Sequence, residues 1–316
     1  MIQHEFIAID EGHATLLHIN ERDQSSNWIV PIGQPAARDM QLIGGGKVLI
    51  GHHHGYTEFD IALGRVVKEF KSLEGVTAVR RQANGHTLIA GVDIGEVVGQ
   101  ASCLSGVTCE SGNSPDRRDA RPTRLAGVAV LELDANDKEI HRAIFPGDYV
   151  RLIRQTEQGT YLMSCNDRIR EGSRDGTYLR EFPVEGFYHA WKSLRLPNGN
   201  LIVTAGYGAF VVELDASGKI LRKFGGKEQV PGKVRPFFYA MFQLLPNGNI
   251  VLANWQGHGP GFGQLGVQLL EFDSRGEIVW SWSKADLISS LQGVLVLDGL
   301  DTVRLHDERT GIMQPL

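Results

Sequence analysis

Short apolar runs separated by polar turns fill the chain, and the runs keep a strand's alternation rather than a helix's period. Two stretches agree almost residue for residue: SLRLPNGNLIVTAGYG (193–208) and MFQLLPNGNIVLANWQG (241–257). AVRRQANGHTLIAGVDIG (78–95), MQLIGGGKVLIGHHHG (40–55) and IRQTEQGTYLMSCNDR (153–168) are looser copies. Each reads as a strand, a glycine turn and a second strand, and Asn-Gly between two such runs predicts a hairpin with a type I′ turn. A second unit follows: an alternating strand, Asp, a short turn and another alternating strand. It occurs as YTEFDIALGRVVKEF (56–70), VAVLELDANDKEIHRAIF (128–145), FVVELDASGKILRKF (210–224) and LLEFDSRGEIVWSW (269–282). LLHINERDQSSNWIVPI (16–32) and GSRDGTYLREFPV (172–184) are degenerate copies. Four strands per repeat is the pattern of a propeller blade.

The turn glycines Gly46, Gly85, Gly159, Gly199 and Gly248 recur at spacings of 39, 74, 40 and 49 residues. Removing the polar segment 97–124, 28 residues rich in Gly and Ser, brings the outlier to 46 and restores the period. That segment therefore reads as an insertion in the third blade, a loop over one face. Five repeats occupy 34–287. The first 33 residues supply about three strands of a sixth blade, and ISSLQGVLVLDGLD (288–301) supplies the strand that completes it. The expectation is an all-β, six-bladed β-propeller closed by both termini in one blade, a single domain over 1–316. Seven blades also fit the length at a period of about 45 residues.

The LPNGN…VxELDxxGKI repeat resembles that of bacterial β-propellers with PQQ-like, NHL-like or arylsulfotransferase-like repeats. The resemblance covers nearly the whole chain and implies the fold. It implies no single chemistry, because those groups hold dehydrogenases, lyases, hydrolases, sulfotransferases and binding scaffolds. The Gly-Lys-x-x-Trp ending of PQQ-type repeats is approached only at GEIVW (276–280), and six blades fall short of the eight of PQQ dehydrogenases. A PQQ cofactor is therefore not expected, and a quinone-dependent oxidoreductase ranks last among the functional readings.

In a propeller the first strand of each blade lines the central channel. Loops entering it and loops joining the second and third strands gather at one face. At those positions the sequence places Arg38, Tyr149, Arg151, His189, Trp191 and Lys192 before or within first strands. After second strands it places His52-His53-His54, Asp93, Asn166, Tyr207 and Asn254-Trp255-Gln256, with His258 close behind. Such residues can hydrogen-bond, stack on and neutralise a polar ligand. Strand alternation puts His52 and His54 on one face. With His189 or His258 they form a candidate site for a divalent metal, with Asp93 orienting a ligand or completing the shell; the alternative is rim histidines held by hydrogen bonds. Arg38, Arg151 and Lys192 are candidates to pair with a ligand carboxylate or sulfate, or with Asp39 or Asp167 as structural ion pairs. Trp191 and Trp255 are candidates to stack on a sugar or aromatic ring, or to pack between blades. The other histidines, His4, His13, His18, His86, His141 and His306, fall on outer strands or turns and are assigned no role.

Composition narrows the partners. With 42% hydrophobic and 22% charged residues the chain can bury a core, and its 38 glycines fit many tight turns. Asp and Glu number 37 against 32 Lys and Arg, a net charge of −5 spread along the chain, so neither nucleic acid nor an anionic membrane is an expected partner. No run approaches a membrane-spanning length, and the start MIQHEFIAIDEGHATLL lacks a signal-peptide pattern. The location expected is cytoplasmic, or periplasmic if a leader has been removed. Cys103 and Cys109 either close a small disulfide loop or stand as reduced thiols, which the missing leader favours; Cys165 reads as a small buried residue. No GxSxG motif occurs, and none of the cysteines sits beside a plausible base, which disfavours a nucleophile-elbow hydrolase. The leading expectation is an enzyme of lyase, hydrolase or isomerase type acting on a small polar, carbohydrate-derived molecule. One of His52, His54, His189 or His258 would be its acid/base or metal ligand. A non-catalytic propeller that binds a ligand or protein is the alternative.

Overall fold

The structure, a computed structural model, describes residues 2–94 and 127–316; the expected insertion at 97–124, with Cys103 and Cys109, lies outside the described residues. Six four-stranded antiparallel sheets form the blades of a β-propeller. Blade II holds β4 (Asp39–Gly44), β5 (Lys47–His52), β6 (Gly55–Asp60) and β7 (Arg65–Phe70). Blade III holds β8 (Val76–Arg81), β9 (Thr87–Val92), β10 (Val128–Leu133) and β11 (Glu139–Phe145). Blade IV holds β12 (Val150–Gln155), β13 (Tyr161–Cys165), β14 (Arg168–Gly172) and β15 (Tyr178–Pro183). Blade V holds β16 (Ser193–Arg195), β17 (Leu201–Thr204), β18 (Val211–Leu214) and β19 (Ile220–Phe224). Blade VI holds β20 (Phe238–Leu244), β21 (Ile250–Trp255), β22 (Leu269–Phe272) and β23 (Ile278–Trp282).

Blade I is shared by the two termini. The late strand β24 (Leu291–Val296) pairs with β1 (Glu5–Asp10), followed by β2 (Thr15–Asn20) and β3 (Trp28–Pro31). Phe6 sits opposite Val296 and Ala8 opposite Val294, so the ring closes through a ladder of apolar pairs. The blade count is six, as the repeat predicts. Among the described residues no helix is long and apolar enough to cross a membrane.

Strand alternation builds the core. On β17, Leu201 and Val203 pack towards Leu162, Ile169 and Phe182 of blade IV. Ile202, between them, packs with Phe242, Leu252 and Leu270 of blade VI. One strand thus buries opposite faces against two neighbours, which is why its sequence is apolar without a break.

The hairpins depart from the expected type I′ turn. In LPNGN, Gly199 N–H donates to Leu196 O (2.9 Å) and Leu196 N–H donates to Asn200 O (2.8 Å). Gly199 has φ +85°, while Asn198 is not among the positive-φ residues. This is a type I turn followed by a glycine bulge: Pro197 pre-sets the first turn residue, and glycine takes the left-handed position. The Asn198 side chain accepts from Asn200 N–H (3.0 Å) instead of adopting positive φ.

The repeated Glu of the third strands ties blades together. Glu171 of β14 accepts from Thr160 Oγ1 in its own hairpin (2.6 Å) and from Arg195 of blade V (2.7 Å). Glu271 of β22 accepts from Asn249 (2.7 Å) and contacts His4, ahead of β1 in blade I (2.9 Å). Glu132 of β10 contacts His86 (2.7 Å) and Arg174 of blade IV. Glu58 of β6 accepts from Arg81 of blade III (2.9 Å). His4 therefore has a structural place at the closing seam, not on an outer strand. Burial opposes its charge, yet bonds to Glu271 and Asp298 outweigh burial and raise its pKa.

The chain after β24 closes one end of the channel. Leu305 bridges to Ile43 of β4 and Ile312 to Leu244 of β20, and β25 (His306–Asp307) pairs with β26 (Gln314–Pro315). Gln41 Nε2 donates to His306 O (2.8 Å), so His306 lies against an inner strand rather than on the outside. Glu308 enters the channel and is buried. It pairs with Arg154 and with Lys192 Nζ (2.7 Å), and Arg80 lies 3.8 Å away. Arg154 also grips Asp39 with two bonds (2.8 and 3.1 Å), and Arg80 pairs with Asp307 (3.0 Å). Three cations and three carboxylates balance out of water. Burial opposes the Glu308 charge, but Lys192, Arg154 and Arg80 hold its pKa down to about 2. Burial pulls Lys192 down to about 8 despite Glu308.

Candidate functional site at the channel mouth

Among the described residues, the opposite end of the channel holds a cavity. Its volume is about 110 Å³, and it is lined by inner-strand ends and by connections after second strands. Arg38, Arg151, Trp191, Phe238 and Gln292 come from the entries of the inner strands of five blades. Trp255 ends β21, and Glu11, Tyr207 and His258 come from the connections that follow β1, β17 and β21.

Aromatic rings form one wall. Phe238 is central: Tyr207 lies 4.7 Å from it, Trp191 5.4 Å and Trp255 5.5 Å, all edge to face. Trp191 and Trp255 are almost fully buried, whereas Tyr207 is 37% exposed. Two guanidinium groups bound another side. Arg38 Nη1 donates to the Tyr149 hydroxyl (3.1 Å), and Arg151 lies 4.6 Å from the Tyr149 ring and 5.5 Å from Trp191. Glu11 also lines the cavity. Its carboxylate accepts from Trp255 Nε1 (3.2 Å) and contacts His258 Nδ1 (2.8 Å). The His258 side chain is 78% exposed and stands edge-on to Trp255 at 4.5 Å.

Local backbone fixes this pair. The buried Asp10 accepts from Ser289 N–H and Ser290 N–H (both 2.8 Å) and from Gly12 N–H (3.0 Å). Ser290 Oγ in turn accepts from Gln256 N–H (2.9 Å) and Gly257 N–H (3.1 Å). Gly12 has no side chain because a Cβ there would lie 2.5 Å from Gly259 O. The turn after β1 and the loop after β21 are thereby pressed together, bringing Glu11 to His258.

Of the residues expected from sequence, the structure brings Arg38, Arg151, Trp191, Tyr207, Trp255 and His258 to one cavity. Tyr149 backs the two arginines. His189 stands beside the lining, 5.8 Å from the Tyr207 ring, with Nδ1 2.6 Å from Asn166 Oδ1. It holds a left-handed φ of +60°, for which Asn166 O accepts its N–H (2.7 Å). Asp93 closes β9 with φ +56°, its N–H bonded to Gly127 O (3.2 Å).

Four expected residues have framework partners instead. Lys192 is committed to Glu308 and to Phe242 O (2.6 Å) inside the channel. Asn254 donates to Val267 O (2.8 Å) and accepts from Phe237 N–H (3.0 Å). Gln256 donates to Arg235 O (3.1 Å). His52 is buried, with Nε2 3.1 Å from Thr57 Oγ1 and Nδ1 accepting from His54 N–H (3.3 Å); burial pushes its pKa down to about 4.

The shared face expected for His52 and His54 is also corrected. Strand β5 ends at His52, which pairs with Gly55, so His53 and His54 form a two-residue turn without strand alternation. Among the described residues no group of three or more His, Cys, Asp or Glu side chains is placed to hold a metal ion, so His52, His54 and His189 do not converge as the expected set. Cys165 is buried, and burial raises its thiol pKa. Glu11 and Gln292 were not anticipated. Glu11 directly follows the second strand of blade I, as Asp93 and Asn166 follow β9 and β13, so extending the repeat into the N terminus would have marked it.

No protein-family model matches the sequence, and no curated protein does. Solved structures match across most of the chain. A protein of unknown function from Bacteroides caccae aligns at TM-score 0.69 and 19% identity, covering 93% of this chain and 99% of the other. A streptogramin B lyase aligns at TM-score 0.52 and 10% identity, covering 90% and 86%. A catalytically inactive histidine-to-alanine form of virginiamycin B lyase from Staphylococcus aureus, with quinupristin, aligns at TM-score 0.52 and 10% identity, covering 89% and 84%. At these identities the likeness is one of fold, and the fold is the six-bladed β-propeller.

Proposed function

We propose that the protein is an enzyme of lyase, hydrolase or isomerase type, working on a small polar molecule at the channel mouth with His258 as general acid/base. The observation that carries this reading is the His258–Glu11 contact of 2.8 Å at the rim of an aromatic cavity. A carboxylate on Nδ1 orients an imidazole and stabilises the imidazolium formed when Nε2 takes a proton. Glu11 is itself fixed by Trp255, so the pair is preorganised. Lyase chemistry is housed in the same architecture by the streptogramin B lyase it resembles in fold. The resemblance of its repeats to PQQ-like, NHL-like and arylsulfotransferase-like propellers is compatible with an enzyme and selects no cofactor.

The test is a turnover screen of lyase, hydrolase and isomerase substrates, repeated with His258→Asn. Loss of roughly 10²–10⁴-fold in kcat with little change in KM is expected. Glu11→Gln should lower the rate less and move the pH profile. An unchanged rate in His258→Asn would overturn the assignment. Ligand binding at the mouth with no turnover of any substrate would favour a non-catalytic binding propeller.

A further inference from the structure

We infer that a protonated histidine rivets the joint that closes the ring: His4, as an imidazolium, ties the start of the chain to blade VI and to the segment after β24, and loss of its proton loosens that joint. The device is independent of the chemistry at the channel mouth.

The β1–β24 ladder is where the two ends of the chain meet. His4 lies on the β1 side of it, one residue before the strand; Glu271, on β22, and Asp298, two residues after β24, lie on the other side. His4 Nε2 is 2.9 Å from Glu271 Oε2, and Nδ1 is 2.5 Å from Asp298 Oδ2. An ionised carboxylate can only accept, so both ring nitrogens must carry hydrogen for both contacts to be bonds. A neutral imidazole has one N–H and one lone pair, and it sets the lone pair against one of the two carboxylates. The His4 and Glu271 side chains are 6% and 1% exposed, so water does not replace the lost bond.

The groups around the ring are consistent with the cation. Asp298 also accepts from Arg22 Nη2 and from Glu5 N–H (3.1 Å), and Glu271 from Asn249 (2.7 Å). Glu21 accepts from the His4 backbone N–H (2.9 Å) and from Trp280 Nε1 (3.0 Å), and the Trp280 ring stands edge-on to His4 at 4.6 Å. Among the described residues the ion pair of Glu271 is the one with His4. Burial opposes a charge on His4, yet the bonds to Glu271 and Asp298 outweigh it and raise its pKa. The bridge is therefore complete below the ordinary value of 6.5 and is lost as pH rises through the folded value. Arg22 reaches Asp298 across the same joint and keeps its charge, so the joint loosens without parting.

The test is hydrogen exchange of the whole protein at pH 6 and pH 8.5, read as protection factors so that the intrinsic rate cancels. Between those values the β1 and β24 amides should lose roughly tenfold in protection relative to β17 and β18 of blade V. His4→Gln, which carries no charge, should show the lower protection at both pH values. His4→Arg, a permanent cation with donors for both carboxylates, should keep the higher protection at both. His18 pairs with Glu5 inside blade I (2.9 Å), so His18→Gln should keep the parent's pH dependence. The His4 ring shift, followed by NMR in the parent, should titrate with the same midpoint as the protection, which decides the matter if a His4 variant does not fold. Equal protection at both pH values, a loss shared by all blades, a different NMR midpoint or a parent-like pH dependence in His4→Gln would each overturn the inference.

Discussion

His52 shows how one residue's surroundings decide its role. It belongs to a run of three histidines and is a candidate metal ligand by sequence, yet its ring is buried and bonded within its own hairpin. Its folded pKa of about 4 lies below the ordinary 6.5, so the unfolded chain binds more protons between those values. The stability is fully present above pH 6.5 and is lost as pH falls towards 4, by up to about 1.4 kcal/mol per pH unit. Urea denaturation across that range should show this slope in the parent and a flatter one in His52→Gln; equal slopes would contradict the buried neutral state. His4 has the opposite sign, since its raised pKa contributes stability below pH 6.5 that is lost as pH rises through the folded value. Sequence could not separate His52 from His258. A place at or beyond the end of a second strand was legible for both, but whether a ring meets Thr57 of its own hairpin or stands in solvent depends on the fold of the turn.

At the scale of the element, the repeat was read almost completely and its turn was not. The Asn-Gly pair marked three of the hairpins, but the five-residue loop and Pro197 favour a type I turn with the glycine one place later than a type I′ turn requires. Gly199 stands in open space apart from Ala216 Cβ at 3.8 Å, so its need is conformational and not steric. Gly199→Ala should cost about 1–2 kcal/mol from the left-handed backbone alone, and Gly199→Asn less. Denaturation midpoints of the two variants check this; an unaltered Gly199→Ala would contradict the turn assignment. The Glu of the ELD motif is explained at the same scale. It was visible as a repeated letter, but its partners were not: Glu132 meets Arg174 of the next blade, whereas Glu213 bonds Asn200 and Arg222 of its own.

For the whole molecule, blade number and ring closure followed from the period of the chain. What the period could not give was the stretch beyond the last repeat. The segment after β24 has no repeat partner, yet Glu308 from it meets Lys192 and Arg154 in the channel. Removing one member of so buried a set leaves uncompensated charge, at a cost of about 3–5 kcal/mol. The same plug reassigns Lys192 from ligand contact to framework, and residues from five blades meet at the other end of the channel. The most direct check of that account is a crystal structure of the protein soaked with the tightest-binding molecule of the substrate screen. The account predicts ligand density bounded by Arg38, Trp191, Trp255 and His258, with Glu308 still paired to Lys192. Density at the tail end of the channel, or between the outer strands of the blades, would contradict it.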